Sequence, residues 1–248
     1  MNKIIRLVLV CGLLAALPAF AENAQDAEEI IRQVQDNMTN DTEEARGEMV
    51  IRDRFGERTK SFISYAAGTE EMLLEFTNPE ERGQKILRLQ DEIYLYFPEA
   101  EEIIHLQGSA LKDSVMGSDF SYEDMTGEKD LLKLYDIRLL DTVALDGRIH
   151  YLVELKGKKK GVAYPLQKLW VDSERMLPSR AEYYSLSGRL IKELLFSEFR
   201  TVDGRPVASR MLMTDKMKKN SSTEFVLLEM KINRQLPEGI FSLEELSW

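Results

Sequence analysis

Few residues of the sequence have both the type and the spacing that catalysis requires. The two histidines, His105 and His150, lie in alternating, strand-like segments, and the single cysteine, Cys11, lies in an apolar N-terminal run. The sequence contains no H-E-x-x-H zinc motif, no G-x-S-x-G nucleophile elbow, no phosphate-binding glycine loop and no Cys/His metal spacing. Because no nucleophile has a neighbouring base, we expect no catalytic site, no metal site and no cofactor.

One acidic cluster has residue types that can carry acid–base or metal chemistry. It consists of Asp113, Asp119, Glu123, Asp124 and Glu128. Closely spaced carboxylates can bind Ca²⁺, but this spacing does not match an EF-hand loop, and Phe120 and Tyr122 interrupt it. We interpret the cluster as a structured loop, in which Ser118 or Asp119 caps a short helix and acidic residues fill its first turn.

A basic loop, Lys156-Gly157-Lys158-Lys159-Lys160-Gly161, lies between two predicted strands. One interpretation is a solvated turn whose charge prevents the sheet from aggregating. The other is that Lys158, Lys159 and Lys160 contact anionic lipid head groups or an acidic partner. A second basic turn is predicted at 216–219.

The N-terminal residues predict export. Lys3 and Arg6 precede an apolar run that ends at Leu17, and Ala19-Phe20-Ala21 has the small residues of a cleavage site. We therefore expect residues 1–21 to be a cleaved signal peptide, residues 22–248 to form a single domain, and the protein to work in the periplasm. The net charge of −10 argues against nucleic acid as a partner, because phosphate binding requires concentrated Lys and Arg.

Hydrophobic periodicity predicts a protein that is mainly β. Ala24–Met38 has apolar residues at helical spacing, and thirteen segments between Glu43 and Ile232 alternate as strands do. Turn dipeptides such as Asp146-Gly147 join several of them at hairpin spacing. The segment Ile93–Phe97 is apolar on both faces, which predicts that this strand is covered on both sides. The pattern favours one antiparallel meander, as a barrel or a strongly curved sheet.

The segment 116–125, Met-Gly-Ser-Asp-Phe-Ser-Tyr-Glu-Asp-Met, resembles the "GSDFSYED" signature of the outer-membrane lipoprotein-sorting protein family, the LolA-like periplasmic proteins. Flanking segments at 82–89, 93–98 and 164–172 are similar to that family in the same order. The resemblance implies an α+β fold, an incomplete antiparallel β-barrel (half-barrel) with an N-terminal helix and a helical lid over an apolar cavity. The lid or plug loop would contain Gly117, Ser118, Asp119, Phe120 and Tyr122.

The resemblance also implies a function, which is to carry the acyl chains of lipoproteins or lipids between the inner and outer membranes. Strand alternation nominates the cavity-lining residues Met49, Ile51, Met72, Leu74, Phe76, Leu95, Phe97, Trp170, Met211 and Met213, although each could equally fill an ordinary core. The expected partners are this cargo, an inner-membrane donor complex or exporter and an outer-membrane acceptor, and we expect a monomer. The alternative is an accessory or sensor module that binds an exporter of the resistance-nodulation-division type, or a signalling protein, without carrying cargo. A hydrolase is disfavoured because no catalytic residues are found.

Overall fold

The computed structural model describes residues 19–126, 130–159 and 161–247, and its strands form a single sheet. The strands are β1 (Thr42–Asp53), β2 (Gly56–Ala67), β3 (Glu71–Phe76), β4 (Lys85–Leu89), β5 (Glu92–Phe97), β6 (Glu102–Leu106), β7 (Tyr135–Leu145), β8 (Arg148–Gly157), β9 (Leu166–Asp172), β10 (Leu177–Tyr184), β11 (Leu190–Val202), β12 (Arg205–Asp215) and β13 (Ser222–Ile232). The helices are α1 (Ala19–Met38), α2 (Tyr122–Thr126), α3 (Leu131–Leu134) and α4 (Leu243–Leu246), with 3-10 turns at Gly108–Lys112 and Val115–Gly117.

The order of the strands leaves the barrel open. The sheet runs β6-β5-β4-β3-β2-β1-β13-β12-β11-β10-β9-β8-β7, with antiparallel neighbours throughout, so the first and last strands of the chain pair in its middle. The two free edges, β6 and β7, are consecutive in sequence. The connection between them therefore passes from one edge of the curved sheet to the other, and its described residues, 107–126 and 130–134, form the lid. This confirms the predicted half-barrel with a helical lid.

Helix α1 covers one half of the concave face. Its apolar stripe, Ile30, Ile31 and Val34, is buried against strands of the second half of the sheet, mainly β7. Burying each of these side chains contributes about 1.5–3 kcal/mol. The helix was predicted over Ala24–Met38 and is present, but it begins at Ala19, so it continues through the predicted cleavage site after Ala21. Residues 1–18, the rest of the predicted signal peptide, lie outside the described residues.

Strand β5 is covered on both faces, as its sequence predicted. Ile93 and Leu95 point to the concave side and are buried under the lid. Tyr94 and Tyr96 point to the convex side, where the C-terminal segment 240–246 packs against them with Leu246 fully buried. The sequence did not predict that the C-terminal segment provides the outer cover.

Asp172, at the end of β9, is a buried carboxylate with several hydrogen-bond donors around it. It is 1% exposed and accepts hydrogen bonds from the Arg148 and Arg175 guanidinium groups and from the backbone N–H groups of Glu174 and Arg175. Although burial alone would raise the pKa of this carboxyl, its hydrogen bonds to Arg148 and to the two backbone N–H groups outweigh that effect and hold the pKa well below its usual range.

A depressed carboxyl pKa makes stability depend on pH in acid. The contribution of Asp172 is present above the unfolded pKa of about 4 and is lost as the pH falls toward the lower folded value. We therefore expect the free energy of unfolding, measured in urea, to fall between about pH 4 and pH 2. In Asp172→Asn this part of the decrease should be absent, and the stability at neutral pH should be lower by about 3 kcal/mol. An unchanged pH dependence in the variant would contradict this assignment.

Candidate functional site: an apolar cavity under the lid

Two adjoining cavities lie between the concave face of the sheet, the end of α1 and the lid. The first has a volume of about 370 Å³ and the second of about 470 Å³. Six residues line both: Met38, Phe120, Asp124, Pro178, Phe196 and Met211. Since most of the lining is Met, Phe, Leu, Val, Ala and Pro, the space suits an apolar ligand more than a polar one.

The predicted lining residues divide between the cavities and the packed core beside them. Met72, Leu74 and Met211 line the first cavity, and Met211 and Met213 line the second. Five of the others lie at the lid-covered end of the concave face. Met49, Ile51, Phe76 and Leu95 are buried in that core, and Phe97 packs against it. They support the cavity wall without lining the open space.

Trp170 requires a correction, because it lies on the other face of the sheet. In β9 the side chains of Gln167, Leu169 and Val171 are buried on the concave side, and Leu169 lines the second cavity. Since successive strand residues point to opposite faces, Trp170 lies on the convex side. There its ring is covered by the Arg180 guanidinium, 4.8 Å from the ring centroid.

The sequence did not predict the aromatic strand residues that line the first cavity, and in β11 the reason is an interruption in the alternation of the strand. Glu198 in β11 has φ of 51°, in the left-handed region. Phe196 and Phe199, on either side of it and three residues apart, both line the first cavity. A strict period of two places one of them on each face. Phe62 and Phe225, from β2 and β13, complete the aromatic part of the wall.

The first cavity has a polar end at the junction of α1 and β1. Asn37, Asn40 and Glu43 line it there, and the Asn40 amide donates to Glu43 Oε1 at 2.6 Å. Burial raises the pKa of the Glu43 carboxyl, while this hydrogen bond and the charge of Arg205 oppose the shift. An apolar chain bound in the cavity can therefore place a polar group against hydrogen-bonding side chains.

Asp119 fastens the lid to β13. Its side chain is buried and accepts hydrogen bonds from the hydroxyls of Ser221, at 2.6 Å, and Thr223, at 2.9 Å. The Lys218 ammonium lies 3.6 Å away and also donates to the Ser118 carbonyl at 2.7 Å. Asp119 was predicted as a helix cap, and this is wrong. Its carboxylate instead joins two segments that are about a hundred residues apart in the chain.

Asp124 is the second attachment point of the lid, on the side of β11. Its carboxylate forms an ion pair with Lys192 at 2.5 Å and accepts a hydrogen bond from the Tyr164 hydroxyl. Burial and the neighbouring Asp124 charge both raise the pKa of Tyr164. The cap of α2 is Ser121, whose hydroxyl accepts from the Asp124 N–H while the Asp124 carboxylate accepts from the Ser121 N–H. The predicted cap therefore exists, but at Ser121 and not at Ser118 or Asp119.

The aromatic residues of the lid face inward. Phe120 lines both cavities and packs edge-on against Phe225, with ring centroids 4.8 Å apart. Tyr122 is buried in the core beside the first cavity. Gly117, with φ of 77°, and Ser118, whose hydroxyl bonds to the backbone of Phe120, shape the turn that directs Phe120 into the cavity.

The other residues considered for chemistry lie away from the cavity. His105 stacks on Tyr94, and His150 is buried with Nδ1 3.1 Å from the Arg148 carbonyl oxygen. Within the described residues, no three His, Cys, Asp or Glu side chains are arranged to hold a metal ion, and Glu128 lies outside them. Lys158 and Lys159 are exposed, and Lys160 lies outside the described residues. No helix in the described part of the chain is long and apolar enough to span a membrane.

Solved structures with the same arrangement define the class of fold. A DUF1329 family protein from Desulfovibrio piger superposes with a TM-score of 0.84 at 24% identity, covering 90% of this chain and 99% of that chain. A domain from Vibrio parahaemolyticus, provisionally named an outer membrane lipoprotein-sorting protein, gives 0.82 at 22% identity and covers 91% and 100%. The LolA superfamily protein NE2245 from Nitrosomonas europaea gives 0.73 at 25% identity and covers 88% and 98%. The fold is therefore that of the LolA-like lipoprotein-sorting proteins, as the signature at 116–125 predicted.

A family model described as an uncharacterized protein matches residues 68–248, and the chain belongs to that family. No curated protein matches the sequence.

Proposed function

We propose that the protein is a periplasmic carrier that shelters the acyl chains of lipoproteins or lipids and releases them to a membrane or to a second protein. The observation that supports this most directly is the open apolar space under the lid. An ordinary half-barrel core would be filled by side chains, since protein interiors are close-packed. Here space of a few hundred Å³ persists between methionine and phenylalanine side chains.

A carrier must hold an acyl chain and also release it, and the free energy of burying the chain in this cavity is compatible with both. Each methylene removed from water contributes about 0.8 kcal/mol, so a palmitoyl chain needs only partial enclosure to be held. Methionine adapts to ligands of different shape, and Met38, Met72, Met211 and Met230 line the first cavity. The lid is attached by polar contacts at Asp119 and Asp124 and by the packing of a few apolar side chains, so it can open to release the chain without unfolding the sheet.

The test is to look for bound lipid. Protein produced from the full-length sequence and purified from the periplasmic fraction without detergent would be examined by native mass spectrometry and by lipid extraction, and then titrated with a fluorescent fatty acid. A co-purifying lipid or acylated peptide, or saturable uptake of the fluorescent chain, is the expected result. An empty protein that takes up no chain would contradict the proposal and favour the alternative, a module that binds a membrane exporter or signalling protein.

A further inference from the structure

Four successive hairpin turns form a continuous stretch at one end of the sheet. They join β8 to β9 (158–165), β10 to β11 (185–189), β12 to β13 (216–221) and β1 to β2 (54–55). Because β8 to β13, β1 and β2 are consecutive neighbours in the sheet, these turns follow one another along its rim. Strands are about 4.8 Å apart, so neighbouring turns are about 10 Å apart. We call this stretch the basic rim.

The charge of the basic rim is opposite to that of the whole protein. Its described cations are all exposed, and they are Arg54, Lys158, Lys159, Arg189, Lys216, Lys218 and Lys219. None of the four turns contains an acidic residue, although the chain carries a net charge of −10. The remaining turns at the same end, between β3 and β4 and between β5 and β6, each carry a net negative charge, so the net positive charge at this end is confined to the basic rim.

The turns at the opposite end of the sheet are acidic. Each of the five hairpin turns there carries one acidic residue: Glu70, Asp91, Asp146, Glu174 and Asp203. The single cation among these turns, Arg175, is paired with Asp172. The molecule is therefore polarised along its strands, and a negatively charged surface would attract the basic rim and repel the other end.

The basic rim also carries the most exposed apolar side chains. Leu186 is 89% exposed, Phe55 74% and Met217 55%, and these are the three highest values among the large hydrophobic residues of the described chain. Each lies on a different turn of the rim that also carries at least one cation: Arg189 in the turn of Leu186, Arg54 beside Phe55, and Lys216 and Lys218 on either side of Met217. The Arg54 guanidinium covers the Phe55 ring at 4.6 Å. Since each of these side chains is more than half exposed, packing in the core does not account for it. What distinguishes the three is that they are grouped with cations at one end of the sheet.

We propose that the basic rim is a docking surface for anionic phospholipid membranes, with its cations at the phosphates and Leu186, Phe55 and Met217 inserted among the head groups. This combination of basic residues and separate apolar tips is typical of proteins that bind at the membrane interface. An acidic protein partner would fit less well. The tips lie on three separate turns about 10 Å apart, and the free strand edges that could pair with another chain, β6 and β7, are not among the strands that these turns join.

Two lysines of the basic rim donate hydrogen bonds to the lid, so docking of the rim on a membrane affects how firmly the lid is held. The Lys218 ammonium donates to the Ser118 carbonyl and the Lys158 ammonium to the Leu132 carbonyl, both at 2.7 Å. Phosphate groups that attract these two lysines compete with the lid for the same donors. Docking therefore loosens the lid at the membrane, where a bound chain would be transferred.

The experiment measures binding of the full protein, purified after export, to vesicles of phosphatidylcholine containing about one third phosphatidylglycerol. The test variant is Lys159→Glu/Arg189→Glu/Lys219→Glu, which leaves Lys158 and Lys218 in contact with the lid. The matched control is Arg32→Glu/Lys231→Glu/Arg234→Glu, which makes the same change in net charge at exposed positions outside the rim. We expect the test variant to bind at least about tenfold more weakly and the control about twofold more weakly.

Two further measurements separate the contribution of the apolar side chains to vesicle binding from that of the charges. Leu186→Ser/Phe55→Ser should weaken vesicle binding about tenfold without any change in charge, and about 0.5 M NaCl should weaken binding of the unmodified protein. Equal losses for the test and control triples, or no binding of the unmodified protein to the anionic vesicles, would overturn the inference; an acidic protein would then be the partner to seek. The test variant should keep its uptake of a fluorescent fatty acid, so this result is independent of the proposed carrier function.

Discussion

Replacing Met211 by Trp is expected to abolish uptake of an acyl chain while leaving the fold intact. Met211 lines both cavities, between Phe196 on β11 and Phe225 on β13. The larger indole extends into open space and not into a packed core, so overpacking strain should be small. If it excludes about five methylenes at 0.8 kcal/mol each, affinity falls by about 4 kcal/mol, which is roughly a thousandfold.

The measurement is titration of the full protein with a fluorescent fatty acid. The matched control is Leu195→Trp, because Leu195 lies on the neighbouring strand, points to the convex face and is 38% exposed. The control should bind as the unmodified protein does, and both variants should keep the melting temperature within a few degrees. Undiminished uptake by Met211→Trp would show that the chain binds somewhere other than these cavities.

Replacing Asp119 by Ala is expected to release the lid while the sheet remains folded. The substitution removes the acceptor of two buried hydroxyl hydrogen bonds and the anion beside Lys218. Hydrogen bonds to a charged group contribute about 1.5–3 kcal/mol each, so we estimate a loss of about 3 kcal/mol in lid attachment. Hydrogen–deuterium exchange of the amides in residues 115–126 should accelerate about a hundredfold.

The control for this prediction is Asp113→Ala, which removes an exposed carboxylate from the same segment. It should leave exchange in residues 115–126 unchanged within about twofold, because an exposed charge contributes little. Asp119→Asn should lie between the two, since the amide keeps one acceptor but loses the charge. Equal acceleration in the Asp113 and Asp119 variants would mean that the buried carboxylate does not hold the lid.

Local pattern was enough to predict the strands. All thirteen predicted strands are present and end within about three residues of their predicted bounds, because hairpin turns and alternation are properties of neighbouring residues. The signature at 116–125 identified the lid and the open barrel by resemblance. Neither route predicted that β1 pairs with β13, since that pairing joins the two ends of the chain.

The candidate site was predicted less completely, for reasons visible at particular residues. Met72, Leu74, Met211 and Met213 were nominated and do line the cavities. Met49 and Ile51 share their face of the sheet but lie under the lid, so alternation alone could not separate core from cavity. Phe199 was missed because the positive φ of Glu198 changes the phase of β11. The roles of Asp119 and Asp124 depend on distant partners, Ser221, Thr223, Lys192 and Tyr164, that no local pattern indicates.

The pairing of β1 with β13 also determines when the candidate site can form as the chain folds. Glu43 pairs with Ile232, and the adjoining strands contribute Ala45 and Phe225 to the wall of the first cavity. Contacts between residues so far apart in sequence form late in folding, because a long loop must close first. The meander from β1 to β6 can form before the rest of the chain has folded, but it has only half of a pocket. The proposed binding site is therefore not complete until β13 has paired with β1.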